Sequence, residues 1–548
     1  MRLPRPLKPK TASEPSGARF ANALPNGVLP VGSPTFRQLC AVTVEGHAYI
    51  GDGYRFNDEL VQELSALQSA GSIPAIVSRE TVQLSRIAEL YDPDGSGTAD
   101  ARRAIVSESD AAARLTWALT EAARAGASDL KIYERDTETN IRVKVAGREY
   151  DLGSPWTPKE GWVAMNFLFN QRDDGGQHVS MAAGKFQSFS VSAGGSYPLP
   201  RSVIKLRGQK GFHETDHGLG THMVLRLFYN DQAAATGSLA DLGFDDEVYE
   251  ALQHARDRLS GCVIIGGATG DGKSTTLIRT MDKLYEETKG AISIVTNEDP
   301  VEYRARGAGI IQIPVGSSGD AETRKANYRQ ALMHFVRINP DVGVISEIRD
   351  ADGAKEILQF VASGHASYTT IHTESASEIL FRLIDMGVAP EELAKPGGIR
   401  LLMKQTLVPL LCPHCSKPAR ADDLPRQAKH LAFHPIRMRN TEGCEHCTSD
   451  RGSLGTTAWA GYQRLIAVGE VIEPTEEWFR YVIARDAFGA RNHWLRPKSE
   501  GGLGGTSLGL KVARHVVAGR LDAFDAITKG ADFHHPSLIS VRVVGAAK

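Results

Sequence analysis

Residues Gly261–Leu277 constrain the fold more than any other stretch, because they join an apolar run, a glycine loop and a segment with helical periodicity. The run Val263–Ile265 is typical of a buried parallel strand, and apolar residues recur with helical spacing between Leu277 and Tyr285. The loop fits G-x-x-x-x-G-K-[ST], whose glycines let backbone N–H groups approach phosphates. The residues that we predict to bind a nucleotide are Gly267, Thr269, Gly270, Gly272, Lys273, Ser274 and Thr275. The alternative is a glycine-rich turn that matches by chance.

The size and charge of the chain limit its class. At 548 residues it is too long for one hydrophobic core, so three or four domains are expected. It has 63 Lys and Arg against 65 Asp and Glu, a net charge of −2, so its overall charge does not indicate a nucleic-acid-binding protein, although a local basic groove would not show in that sum. No apolar run approaches the roughly 20 residues of a membrane helix, and the N-terminal residues lack the apolar core of a secretory signal. We expect a soluble, cytosolic protein.

Composition and periodicity divide the chain into six segments. They are a mobile, basic, proline-rich tail (1–34), a small N-terminal domain (35–99), a second N-terminal α+β domain (100–231), an α/β nucleotide-binding core (232–411), a segment with two cysteine pairs (412–464) and a helical C-terminal region (465–548).

Four apolar runs in the core alternate with helical stretches, which predicts a parallel sheet with crossover helices. The runs are Cys262–Ile265, Ile292–Val295, Val342–Ile345 and Ser367–Ile371. Polar residues follow each run. In an open α/β sheet ligands bind beyond the carboxyl ends of the strands, so these polar clusters are expected to converge on one nucleotide.

Acidic residues and histidines stand at the ends of the runs. Glu298 and Glu302 follow the second run, where phosphoryl transfer needs groups that orient water and hold Mg²⁺, although an Asp-Pro turn with solvated acids fits equally well. Glu347 follows the third run, where a nucleotide hydrolase holds its metal. His365 and His372 flank the fourth run, so His372 is placed to reach the γ-phosphate while His365 is expected to bond backbone.

Together these motifs resemble those of the type II secretion and type IV pilus ATPases, a branch of the RecA-like hexameric motors. The resemblance rests on the glycine loop, Glu298-Asp-Pro-Val-Glu302-Tyr, Glu347-Ile-Arg-Asp, Gly-His365 and His372-Thr. Upstream, Ala127-Ser-Asp-Leu-Lys-Ile resembles the opening of the family's second N-terminal domain. The resemblance extends from about Ala127 to Ile527. A plasmid thin-pilus ATPase is one candidate within the family.

The resemblance implies an α/β fold in which a RecA-like P-loop ATPase core follows a smaller, PAS-like α+β domain. It implies that Lys273 binds phosphates, Ser274 and Glu347 hold Mg²⁺, and Glu302 polarises the attacking water. Spacing by itself does not separate the roles of Glu302 and Glu347. It also implies that Arg207 and Arg226 reach the nucleotide from the preceding domain. One departure is Asp271, which stands where serine is usual and puts a carboxylate beside the phosphates.

Two C-x-x-C pairs predict a structural zinc site. Cys412 and Cys415, followed by Cys444 and Cys447, offer four thiolates in the arrangement that tetrahedral zinc prefers. Free or redox-active thiols are the alternative, and His414 and His446 are conceivable substitute ligands. Lone Cys40 and Cys262 are expected to be core residues.

Three functions are compatible with these features. The first is an ATP- and Mg²⁺-dependent homo-hexameric motor that drives pilus assembly or type II-like secretion, acting with an inner-membrane platform protein at the cytoplasmic face. The second is a RecA-like nucleic-acid or conjugative DNA-transport motor, which needs basic or stacking clusters that do not stand out. The third is a nucleotide-sensing scaffold without turnover, which the presence of Glu302 and Glu347 disfavours. We therefore predict the first, with zinc as a structural cofactor and no stable nucleic-acid partner.

Overall fold

The computed structural model describes most of the chain from Glu108 onwards and parts of the residues before it. The described residues are 23–24, 26–32, 36–37, 40–51, 58–82, 87, 90–91, 108–173, 186–195, 197–216, 218–229, 237–298, 301, 305–315, 327, 330–331, 334–335, 337–345, 347–449 and 451–539. The predicted tail (1–34) lies largely outside them, as does Glu302.

The small N-terminal domain contains a three-stranded sheet and one long helix. Its elements are β1 (Cys40–Val42), β2 (His47–Gly51), α1 (Asp58–Ser69) and β3 (Ser78–Val82). The chain turns at Gly46, whose φ is +87°, so that β1 pairs antiparallel with β2. β3 pairs parallel with the other edge of β2, where Thr81 lies opposite Ile50.

The second N-terminal domain is an antiparallel sheet packed against two helices, as the α+β pattern predicts. Its elements are α2 (Glu108–Arg124), β4 (Asp129–Glu134), β5 (Thr139–Val145), β6 (Arg148–Asp151), α3 (Pro158–Asn170), β7 (Gln187–Ser192), β8 (Val203–Thr215) and β9 (Gly218–Tyr229). The strand order is β6-β5-β4-β9-β8-β7. The alternating burial of β5 places every second side chain in the core, which leaves the other face free for contacts with other parts of the molecule.

The core alternates strands and helices, and all four predicted strands are confirmed. Its elements are α4 (Asp246–Arg256), β10 (Gly261–Gly266), α5 (Lys273–Glu287), β11 (Ile294–Glu298), β12 (Ile310–Pro314), β13 (Val342–Ile345), α6 (Ala351–Ala362), β14 (Ala366–Ile371), α7 (Ile379–Asp385), α8 (Pro390–Leu393) and β15 (Ile399–Leu411).

The cysteine segment and the C-terminal region continue this unit. Their elements are β16 (Lys417–Pro418), β17 (Arg437–Met438), α9 (Glu445–Thr448), α10 (Gly452–Trp459), β18 (Tyr462–Ile472), α11 (Glu476–Ile483), α12 (Ala487–Leu495), α13 (Leu508–Val517), α14 (Ala523–Thr528) and α15 (Pro536–Ile539). The region predicted to be helical from 465 therefore opens with a strand, since the apolar residues of β18 pair with β15 in the central sheet.

The central sheet has the order β12-β11-β13-β14-β10-β15-β18, and its first six strands are parallel. One face is covered by α4 and α5, and the other by α6, α7, α11 and α12. Because β10 lies between β14 and β15, the loop that follows β10 emerges beside the carboxyl ends of both neighbours. No described helix is long and apolar enough to span a bilayer.

The second N-terminal domain packs on the cysteine segment of its own chain. Leu454 and Ala458 of α10 belong to the hydrophobic core of that domain. The Trp459 indole N–H donates to the carbonyl oxygen of Ala125 at 2.9 Å. Two of the six predicted segments, 100–231 and 412–464, are thus in contact with each other.

Candidate functional site: a phosphate loop at the end of the parallel sheet

The glycine loop joins β10 to α5 in a conformation that only glycine adopts readily. Gly267, Gly270 and Gly272 have φ of +156°, +86° and +79°. A Cβ at Gly267 would lie 2.9 Å from the carbonyl oxygen of Gln405 on β15. The loop therefore needs glycine both for its backbone angles and for its close approach to the neighbouring strand.

Lys273 is the first residue of α5, so its ammonium lies over the loop. Its Nζ donates to the carbonyl oxygens of Gly267 and Ala268 at 2.7 and 3.0 Å. Ser274 and Thr275 follow in the same helical turn. A helix N-terminus offers N–H groups without intrahelical partners and a partial positive charge, which together suit a phosphate.

Glu347 and His372 meet the loop from the two strands nearest to it on one side. His372, which follows β14, contacts the carbonyl oxygen of Gly267 through Nδ1 at 3.0 Å and the Glu347 carboxylate through Nε2 at 2.7 Å. The Arg349 Nε also donates to Glu347, at 3.1 Å. The ring of His372 therefore links the carbonyl oxygen of the loop to the acid.

His365 lies at the opposite end of β14. Ala366, the next residue, pairs with Gly261 at the start of β10, five residues before Gly266. The His365 ring contacts the Ser363 hydroxyl at 2.8 Å and Asn339 at 3.3 Å. The structure therefore brings His372 to the loop but not His365. The His365 ring contacts side chains, whereas we expected it to bond to the backbone.

The acids after β11 are described only in part. Glu298 accepts hydrogen bonds from Thr296 at 2.6 Å and Gln312 at 2.9 Å, so its carboxylate is engaged within the sheet. Glu302 lies outside the described residues, and its role stays a prediction.

Arg207 and Arg226 lie opposite each other on β8 and β9 of the second N-terminal domain. The Arg226 Nε donates to Asp129 at 3.1 Å. That these arginines reach a nucleotide stays a prediction. The nucleotide would be bound either by the same chain or by a neighbouring subunit.

Asp271 does not point at the phosphate position, contrary to our expectation. Its carboxylate is buried, with 6 % of the residue exposed, and accepts hydrogen bonds from the Ala268 N–H at 2.9 Å and the Thr406 hydroxyl at 3.0 Å. Its carbonyl oxygen accepts from Gln405 Nε2 at 2.6 Å. Sequence reasoning missed these partners, because nothing in the local pattern of β15 marks it as the strand that supports the loop.

The four cysteines of the two C-x-x-C pairs form one cluster. Their Sγ atoms lie within 4.8 Å of one another, and the Cys412–Cys444, Cys415–Cys447 and Cys444–Cys447 separations are 3.8, 3.9 and 3.8 Å. Tetrahedral ligation with metal–sulfur bonds of about 2.3 Å requires sulfur separations of about 3.8 Å. The donor set therefore fits a metal ion of the zinc type.

The surroundings of the cluster also fit a bound metal. The N–H groups of Cys444 and Gly461 point at Cys447 Sγ at 3.2 and 3.3 Å, as donors to a thiolate would. His414 and His446 pack on each other with ring centroids 3.9 Å apart. Cys40 and Cys262 are fully buried, as expected, and burial raises the pKa of each thiol to about 12.

The sequence of this chain matches a family model and several known proteins. Residues 216–484 match the family model described as "Type II/IV secretion system protein". The chain is 28% identical to the type IV pilus assembly ATPase PilB of Myxococcus xanthus over 64% of this chain and 59% of that protein. It is 34% identical to the type II secretion system protein E of Pectobacterium carotovorum over 43% of this chain and 45% of that protein. The matched region thus spans about half the length of these relatives.

A solved structure shares the fold. The ATPase DotB of Legionella pneumophila superposes with a TM-score of 0.51 at 19% identity, covering 76% of this chain and 95% of that chain. The likeness supports an α/β fold of this type.

Proposed function

Since residues 216–484 of this chain form a domain of the type II/IV secretion system protein family, we propose that the protein is a Mg²⁺-dependent ATPase that powers pilus assembly or secretion. The observation that carries this proposal is the chain of contacts from the Gly267 carbonyl through His372 to Glu347, at 3.0 and 2.7 Å. It places a carboxylate, an imidazole and a glycine loop around one position at the end of the sheet.

The residues of the loop would bind the triphosphate. Backbone N–H groups of the loop and Lys273 would hold the phosphates, while Ser274 and Glu347 would hold Mg²⁺, Glu347 through water. Bound Mg²⁺ supplies charge neutralisation during phosphoryl transfer. Glu302 would orient the attacking water, and His372 would reach the γ-phosphate.

The remaining parts of the motor are also proposals. Arg207 and Arg226 lie outside the core, so we propose that the chain works as a homo-hexamer in which these arginines complete a nucleotide site. The likeness of the second N-terminal domain to PAS domains is supported by its antiparallel sheet with helices packed on it. We propose zinc as the metal of the four-cysteine cluster, where it would stabilise the segment without touching ATP.

The partner follows from the names of the relatives, which are pilus assembly and secretion proteins. We propose that the protein acts in the cytoplasm at the inner membrane, where it binds a platform protein of a pilus or secretion system. Conformational changes driven by hydrolysis would move that partner.

A purified preparation assayed for phosphate release with and without single-stranded DNA tests the proposal. The account predicts a rate that DNA changes by less than about twofold, because a nucleic-acid motor is stimulated by its track. In cells, the Lys273→Ala variant is expected to abolish pilus assembly or secretion. Strong stimulation by single strands would favour the nucleic-acid motor instead.

A further inference from the structure

Asp271 belongs to a buried cluster of charges beneath the phosphate loop. Lys404 on β15 places its Nζ 3.6 Å from Oδ2 of Asp271, and Lys529 places its Nζ 3.8 Å from Oδ1. The side chains of Asp271 and Lys404 are 8% and 9% exposed. A buried carboxylate that lacked these partners would be strongly destabilising, so the three charges depend on one another.

Lys529 reaches the cluster from the C-terminal region, more than 250 positions along the chain from Asp271. Its Nζ also donates to the Thr406 hydroxyl at 3.4 Å. Burial lowers the pKa of the Lys529 ammonium, and the carboxylate of Asp271 opposes that shift. Asp271 therefore favours the charged form of Lys529, against burial and the nearby ammonium of Lys404.

The loop itself needs contacts from other side chains to hold its conformation. Its three glycines with positive φ contribute no side chains, and glycine loses more conformational entropy on ordering than any other residue. The bond from the Ala268 N–H to the Asp271 carboxylate closes the loop on itself at 2.9 Å. Asp271 thus joins the inside of the loop to β15 and to the C-terminal region.

The same C-terminal segment contacts the second N-terminal domain. Lys529 follows directly after α14, and Asp525 of α14 forms an ion pair with Arg148 at the start of β6. The Tyr462 hydroxyl donates to the other oxygen of Asp525. One short segment therefore touches the phosphate loop at one end and the preceding domain at the other.

We propose that Asp271 is a positioning residue that holds the phosphate loop ready for nucleotide and couples its position to α14 through Lys529. The proposal rests on the proposed nucleotide-binding function and adds to it a residue that touches neither phosphate nor metal. It also gives a reason for an aspartate at this position of the loop.

The test compares full-length wild type with Asp271→Asn, Lys529→Met and the double variant. We expect Asp271→Asn to raise KM for MgATP and Kd for MgADP about tenfold while kcat changes less than about threefold, because a loosened loop must be ordered on binding. Lys529→Met is expected to raise KM about threefold. The double variant should be no weaker than Asp271→Asn, since the two residues act as one unit.

Lys511→Met is the matched control. Lys511 is also buried and pairs with two acids, Asp245 and Glu247 at 2.8 and 2.9 Å, but these belong to the start of α4. Removing it should lower thermal stability without changing KM. An equal rise in KM in this variant would show a general loss of stability and overturn the proposal.

Hydrogen exchange of the backbone amides at 267–272 in the nucleotide-free protein gives a second readout. We expect exchange about tenfold faster in Asp271→Asn than in wild type. Unchanged exchange, unchanged KM, or additive effects in the double variant would overturn the proposal. A wild type that releases no phosphate would contradict the proposed function, whereas the exchange rates would still decide the role of Asp271.

Discussion

Glu347 is the residue to which we assigned the metal in our proposal. It follows β13, lies 24% exposed at the side chain and contacts both His372 and Arg349. Its replacement by an amide preserves the shape of the side chain while removing its charge.

We predict that Glu347→Gln lowers kcat about a hundredfold while the Kd for MgADP stays within about fivefold, because the charge acts on the transition state more than on the bound nucleotide. Steady-state phosphate release and calorimetric titration measure the two effects. Glu391→Gln, at an exposed position of α8, is the control. Equal losses of binding and turnover would contradict this assignment.

A second prediction at this scale concerns His515 of α13. Burial, aided by nearby Arg520 and opposed by Asp245, lowers the pKa of its imidazole to about 4. Because the folded-state pKa lies below the ordinary value of about 6.5, the neutral ring favours folding above pH 6.5, and that stability is lost as the pH falls towards 4.

The free energy of unfolding of wild type should therefore fall by about 2 kcal/mol more than that of His515→Gln between about pH 7.5 and pH 5. Urea unfolding of both proteins at the two pH values measures the difference. Parallel pH dependences would show that His515 does not titrate in this way.

Residues close to a motif were predictable, and distant partners were not. The glycine pattern and the acid after β13 could be found because each lies beside a recognisable strand. The partners of Asp271 could not, since Lys404 and Lys529 approach it only through tertiary packing. His365 was expected to bond backbone, and its actual partners, the side chains of Ser363 and Asn339, could not be read from the sequence pattern.

At the scale of elements, four of the six parallel strands of the core were predictable because each is a continuous apolar run, whereas β12 and β15 were not among the predicted strands. β18 was missed, since its residues also fit a helix and only pairing with β15 makes them a strand. Short apolar runs are ambiguous until their neighbours are known.

The four-cysteine cluster gives a prediction for this scale. We expect one zinc per chain in wild type and less than about 0.2 in the Cys412→Ser, Cys415→Ser double variant, because two ligands do not retain a structural zinc. Elemental analysis measures the content. The cysteine segment of the double variant should unfold at a lower temperature than that of wild type, while the affinity for MgADP should stay unchanged.

Cys40→Ala serves as the control, because Cys40 is a buried thiol outside the cluster. It should retain the full zinc content. A wild type that is folded and free of metal would end the zinc assignment.

The whole molecule links its nucleotide core to both flanking parts. The second N-terminal domain packs against α10, and its Arg148 forms an ion pair with Asp525 of α14. A conformational change in the rest of the chain can therefore reach the domain that carries Arg207 and Arg226 through either of these contacts. The division into six segments stays a prediction. The contacts between the segments could not be predicted, since they depend on single pairs such as Arg148 with Asp525.

We predict that Arg207→Ala lowers kcat about a thousandfold, as loss of an arginine that stabilises transition-state charge does. The particle mass should remain near six times the 59.3 kDa of one chain. Arg201→Ala, at an exposed position just before β8, should hydrolyse ATP normally. Kinetics and sedimentation together measure these effects.

Mixing subunits tests whether the arginine acts on a neighbour. If it does, a mixture of Arg207→Ala and Lys273→Ala chains should recover part of the activity that each lacks alone. A mixture as inactive as its components would place the arginine and the loop of one chain at the same site.

The most direct test of the account is the rate of Mg²⁺-dependent phosphate release by the purified full-length chain and by its Lys273→Ala variant. The account predicts steady turnover by wild type and at least a hundredfold loss in the variant, because the ammonium over the loop would no longer hold the phosphates. Wild-type protein that folds and releases no phosphate, or a variant as active as wild type, would contradict it.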